Sequence, residues 1–89
     1  MANIVKNEKG FLIIEASSED MMGRIGHLGK MDYCDSCAKS SESYYYLPLM
    51  DKWVCKECYK EWYEGNVRND EDLYIEIRNF NNMKRNFDL

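Results

Sequence analysis

The chain has 89 residues, 45% of them apolar, and a formal charge of −4 from 12 basic and 16 acidic side chains. That length suits a single domain over residues 1–89 with one modest core, the size at which a metal or disulfides often supplement hydrophobic burial. The longest apolar run, Phe11-Leu12-Ile13-Ile14, is far below the roughly 20 residues of a membrane helix, and the Met-Ala-Asn-Ile-Val-Lys start lacks the basic and apolar regions of a secretory signal.

A cytoplasmic protein with no membrane contact is therefore expected. The charge is spread evenly: residues 1–33 carry 4 basic and 5 acidic groups, residues 34–65 carry 4 and 6, and residues 66–89 carry 4 and 5. Non-specific nucleic-acid binding draws on Lys and Arg to neutralise phosphates, so this balance counts against it without excluding a local basic face.

In chain order, Gly10 precedes Phe11-Leu12-Ile13-Ile14-Glu15-Ala16, a strand by β-branched and aromatic content. Ser17 or Ser18 offers an N-cap, with Glu19 and Asp20 in the first turn of a short helix. Glycines 23, 26 and 29 each lower helix propensity by about 1 kcal/mol, so residues 23–32 are expected to leave the helix as a loop. Ser43-Tyr44-Tyr45-Tyr46-Leu47 and Lys52-Trp53-Val54 read as a hairpin with Pro48 to Asp51 as its turn, Pro48 being barred from the ladder interior. Tyr59 to Glu64 continue as a helix that Gly65-Asn66 should end through a left-handed residue. A last helix over residues 69–87 opens on acids and carries Leu73, Ile77, Phe80, Met83 or Lys84, and Phe87 near a helical period.

Four cysteines punctuate the middle in the pattern Cys34-x2-Cys37-x17-Cys55-x2-Cys58. Two intervening residues let both thiolates of a pair reach one tetrahedral ion at about 2.3 Å. Seventeen residues suffice for a hairpin that returns the second pair to the first, and the second pair falls at a helix start, where free N–H groups stabilise thiolates. A metal site of Cys34, Cys37, Cys55 and Cys58 holding one structural zinc is expected, since four thiolates close the shell that a catalytic zinc keeps open. In zinc-finger peptides such binding contributes on the order of 10 kcal/mol, so the hairpin and the following helix should depend on metal. Tetrahedral sulfur also suits iron, although the Gly and Pro setting of a rubredoxin-like site is missing.

The order of knuckle, hairpin and ligand-bearing helix over residues 33–65 resembles the treble-clef zinc finger, and the intervals are similar to those of GATA-type fingers. The stretch CDSC…YYYLPLMDKWVCKECYKEWY is also similar to small bacterial and mobile-element proteins that carry one such finger. Joined to the elements read on either side, this gives an expected α+β fold in which a treble-clef finger is flanked by an N-terminal strand with a short helix and by the C-terminal helix. GATA-type fingers carry a basic hairpin and helix for groove contact. Here the hairpin holds only Lys52, and the helix alternates Lys56, Glu57, Lys60, Glu61 and Glu64.

His27, the sole histidine, stands seven residues before Cys34 and reads as a loop residue once four cysteines satisfy the ion. Its solitude argues against a treble-clef nuclease that needs two histidines, and no His-x-Glu of a zinc deaminase is present. The expected function is a non-enzymatic, zinc-stabilised module that binds another protein, as a small regulator or inhibitor, acting as a monomer or homodimer. Candidate partner contacts are Tyr44, Tyr46 and Trp53, which would form an exposed aromatic patch unless they serve as core, together with Arg78 and Arg85 near the end of the last helix. Arg78, Lys84 and Arg85 equally suit the negative end of that helix dipole. The alternative is a nucleic-acid-binding regulator that uses the finger or these basic residues.

Overall fold

The computed structural model describes residues 2–5, 7–26, 33–66, 70–87 and 89. Four strands, β1 (Asn3–Val5), β2 (Ile13–Ser17), β3 (Ser43–Leu47) and β4 (Lys52–Val54), form one antiparallel sheet in that spatial order. Helix α1 (Ser18–Ile25) follows β2 directly, α2 (Lys56–Gly65) follows β4, and a 3-10 turn at Asp70–Asp72 leads into α3 (Leu73–Asn86). The fold is thus α+β, with the expected hairpin and all three expected helices.

Strand β1 has no counterpart in the sequence reading. It pairs Ile4 with Ile14 through a turn in which Asn7 does the local work. The Asn7 Oδ1 accepts from the Phe11 N–H at 3.0 Å, its Nδ2 donates to the Phe11 carbonyl at 2.7 Å, and Gly10 sits at φ 80°, a region open to glycine at little cost. The Ser17 hydroxyl caps α1 by accepting from the Asp20 N–H at 3.1 Å, as the serine pair implied. The helix then runs through Gly23 as far as Ile25, so the expected loop begins later than residue 23. A glycine penalty of about 1 kcal/mol does not end a helix whose Met21 is fully buried. The remainder of that loop, residues 27–32 and with them His27, lies outside the described residues.

Strand β3 is central, and both of its faces are covered. Alternation sends Tyr45 to one side, where it stacks on Tyr59 of α2 with ring centroids 4.5 Å apart and planes 9° apart. Tyr46 points to the other side and meets Trp53 at 5.2 Å, and Trp53 in turn meets Phe87 at the end of α3 at 5.5 Å. Tyr44, Tyr46 and Trp53 keep 0%, 1% and 2% of their surface. These three candidate partner contacts are therefore corrected: of the two readings left open, patch or core, they are core, because helices pack on both sides of the strand. Phe11 joins the α2 side through Trp62, at 4.6 Å, and Tyr63.

Helix α2 ends differently from the expectation. Gly65 is helical, and Asn66 is extended at φ −128°. The last carbonyls are satisfied by side chains instead: Asn66 Nδ2 donates to the Trp62 carbonyl at 2.7 Å, and Lys9 Nζ donates to the Tyr63 and Asn66 carbonyls. Helix α3 is rotated relative to the expected stripe. Its buried side is Glu76, Phe80 and Phe87 with Met83 half-buried, whereas Ile77 is 44% exposed. Glu76 turns inward because its carboxylate accepts the Leu12 N–H at 3.3 Å, and Asn79 Nδ2 donates to the Pro48 carbonyl at 2.8 Å. Two polar latches thus set the rotation that the apolar period alone does not. Asn69 lies outside the described residues. Among the described residues no helix is long and apolar enough to cross a membrane.

Candidate metal centre

The first cysteine pair sits on a tight knuckle between α1 and β3. Cys34 N–H donates to the Lys39 carbonyl at 2.9 Å, and Ala38 N–H donates to the Cys34 carbonyl at 2.8 Å. Closing that turn puts Ala38 at φ 63°, a left-handed conformation that costs a non-glycine residue on the order of 1 kcal/mol. The turn aims two backbone donors at one sulfur: Ser36 N–H and Cys37 N–H lie 3.3 and 3.4 Å from Cys34 Sγ. Such donors stabilise a thiolate.

The second pair comes from the start of α2. Cys55 is the N-cap residue, in extended backbone, and its side chain makes no capping bond. Cys58 lies one turn on, so both sulfurs project from the same end of the helix.

Asp35 joins the two halves. Its N–H donates to the Trp53 carbonyl at 2.8 Å, and its Oδ2 accepts the Trp53 N–H at 2.8 Å. The knuckle is thereby docked against β4, two residues before Cys55. Sequence reasoning treated Asp35 only as a spacer between cysteines. An acidic residue inside a Cys-x-x-Cys pair, able to accept from a neighbouring edge strand, was the available signal.

This docking brings the four sulfurs of Cys34, Cys37, Cys55 and Cys58 within 4.8 Å of one another. Cys37 Sγ and Cys55 Sγ are 3.8 Å apart. A tetrahedron of four sulfurs about 2.3 Å from a central ion has edges of about 3.8 Å, which the Cys37–Cys55 separation already matches. The donors fit as well, since soft thiolates in tetrahedral array suit zinc and disfavour hard cations. Cys34 and Cys55 are buried, Cys58 is half-buried and Cys37 is exposed.

The protons are unevenly held before any metal arrives. Burial works to raise the Cys34 thiol, but the N–H groups of Cys37, Cys55 and Ser36 outweigh it and bring the value down to about 6. At Cys58 the balance runs the other way. Burial, followed by hydrogen bonding among the neighbouring sulfurs of Cys55, Cys37 and Cys34, pushes its thiol up to about 12. A divalent cation overrides this difference, because a coordinated thiol loses its proton outright.

The remaining sequence candidates lie elsewhere. Tyr44, Tyr46 and Trp53 are core, and the Tyr46 hydroxyl donates to Asp51 Oδ1 at 2.6 Å. Arg78 and Arg85 are exposed on α3, seven residues apart and so on one side of the helix. Lys84 lies over the Phe80 ring, 5.5 Å from its centroid, and does not extend that basic pair. Comparison of the chain with protein-family models, with curated proteins and with solved structures finds no match.

Proposed function

We propose that the chain is a non-enzymatic module in which a treble-clef finger, built from the knuckle, the β3–β4 hairpin and α2, holds one structural zinc and presents a surface to another protein. The observation that carries the zinc reading is the convergence of four sulfurs within 4.8 Å, two of them 3.8 Å apart. Four thiolates fill a tetrahedral shell and leave no position for water or substrate, which supports a structural rather than a catalytic ion. The arrangement of supports agrees with this role. Asp35 locks the knuckle to β4, and Tyr59 stacks on Tyr45, so the ion ties α2 to the sheet edge.

The partner surface cannot include the buried Tyr44, Tyr46 and Trp53. The exposed Arg78 and Arg85 remain from the original candidates, and Tyr74 and Ile77 stand on the same helix at 68% and 44% exposure. A mixed aromatic, aliphatic and arginine surface is the composition found at protein contacts. The test is affinity capture with the zinc-loaded chain, wild type against the Arg78→Glu/Arg85→Glu double variant, with binding to DNA and RNA followed over a salt series. Specific capture of a protein that the variant loses supports the reading. Steeply salt-dependent nucleic-acid binding without protein capture contradicts it and favours the nucleic-acid alternative.

A further inference from the structure

The cysteine cluster is unequally shielded, and the difference bears on how its ion could be lost. Cys34 is fully buried, and its sulfur accepts from two backbone N–H groups. Cys37, by contrast, is exposed on the outer edge of the knuckle. Its sulfur lies 3.8 Å from Cys55 Sγ, on the other half of the site. A cleft of about 240 Å³, lined by Lys39, Ser40, Ser41, Cys55, Lys56 and Glu57, opens beside Cys55. That cleft gives the second thiol of the pair a solvent-facing side.

The geometry points to a redox-controlled release of the ion, in which a hydroperoxide oxidises Cys37 first and Cys55 then closes a Cys37–Cys55 disulfide. The inference rests on the zinc reading above. The Cys37 thiolate attacks one oxygen of hydrogen peroxide, forming an S–O bond and breaking the O–O bond. The departing hydroxide takes a solvent proton and leaves as water. The Cys55 thiolate then attacks the sulfenic sulfur, forming the S–S bond and breaking S–O, and the second hydroxide also leaves as water after protonation. Two thiolates give up two electrons, and the peroxide takes them with two protons to become two waters. The sulfurs must close from 3.8 Å to about 2.05 Å.

Only Cys34 and Cys58 then remain as ligands, and two thiolates do not hold a closed tetrahedral shell. The fold favours reversibility. Asp35 and Trp53 keep the knuckle on β4 through bonds that involve no sulfur, so reduction returns the four sulfurs to one another. Pairing within either Cys-x-x-Cys unit is the competing outcome. For Cys34 it would require breaking the N–H bonds from Ser36 and Cys37.

The test uses the zinc-loaded, full-length wild-type chain, because Cys37→Ser removes a ligand and confounds release with failure to bind. Hydrogen peroxide is added beside a chromophoric zinc indicator and a sulfenate-trapping dione, and peptides are mapped by mass spectrometry at early and late times. Expected are the first trapped sulfenate on Cys37, a Cys37–Cys55 crosslink in step with zinc release, and recovery of both thiols and zinc on adding a dithiol. First modification at Cys34 or Cys58, crosslinks confined within each pair, or full zinc retention under peroxide would overturn the proposal while leaving the zinc site standing. A chain that takes up no zinc at all overturns the metal reading and the switch with it.

Discussion

Replacing Asp35 by alanine tests how the site is assembled. In the wild-type chain the Asp35 carboxylate accepts the Trp53 N–H at 2.8 Å, and Trp53 keeps only 2% of its surface. The variant leaves a buried N–H without that acceptor. Hydrogen bonds to charged groups contribute about 1.5–3 kcal/mol net, and an orphaned buried donor costs a similar amount. At about 1.4 kcal/mol per factor of ten, that is roughly a ten- to hundredfold loss. If knuckle and hairpin dock only when metal binds, the loss appears in zinc affinity. If they are docked beforehand, it appears in the stability of the metal-free chain. Competition with a chromophoric chelator reads the first and urea denaturation of the metal-free chain reads the second. Asp35→Asn, which keeps a neutral acceptor, should recover a good part of either loss. An Asp35→Ala chain with unchanged affinity and unchanged stability would refute the claim that this carboxylate holds the two halves of the site together.

Cys58→Ser should abolish stoichiometric zinc by elemental analysis, whereas His27→Ala should leave the metal content as it was. Zinc affinity should rise with pH, because Cys58, held up near 12 without metal, must give up its proton on binding. The slope should steepen below pH of about 6, where Cys34 also becomes protonated in the metal-free chain, and chelator competition over a pH series reads this directly. Phe87→Ala removes the ring that packs on Trp53 at 5.5 Å and should destabilise the chain by about 3–5 kcal/mol in thermal or denaturant melts. A Phe87→Ala melt within about 0.5 kcal/mol of wild type would show that α3 is not docked on the sheet.

The parts of the fold that were legible are those whose signals are local. The Cys-x-x-Cys pairs bracket the hairpin, and the strand boundaries at Ser43–Leu47 and Lys52–Val54 follow from aromatic and β-branched runs around Pro48. The Ser17-Ser18 pair marked the start of α1, and Ser17 is the cap. Strand β1 was missed because three residues give no period, although the Asn7-to-Gly10 turn before Phe11 was a usable hairpin sign.

The run Tyr44-Tyr45-Tyr46 could not disclose how many faces of its strand are covered. Alternation says only that Tyr45 opposes its neighbours; α2 is close in sequence, but the other face is closed through Trp53 by Phe87 at the end of α3, which approaches from distant sequence. The rotation of α3 escaped for a related reason. A buried Glu76 answering the Leu12 N–H outranks an apolar Ile77, and that bond spans 64 residues. The same kind of long-range pairing supports the hairpin independently of any metal. Strand β3 is laddered to β2 from Ser43–Ser17 to Tyr46–Ile14, giving the hairpin a second anchor that cysteine spacing does not reveal.

X-ray absorption at the zinc edge, recorded on the freshly purified full-length chain together with its metal content, examines the centre itself. A four-thiolate zinc centre requires one zinc per chain with four sulfur neighbours at about 2.3 Å. A chain without stoichiometric metal, or a coordination shell that includes nitrogen or oxygen, contradicts it.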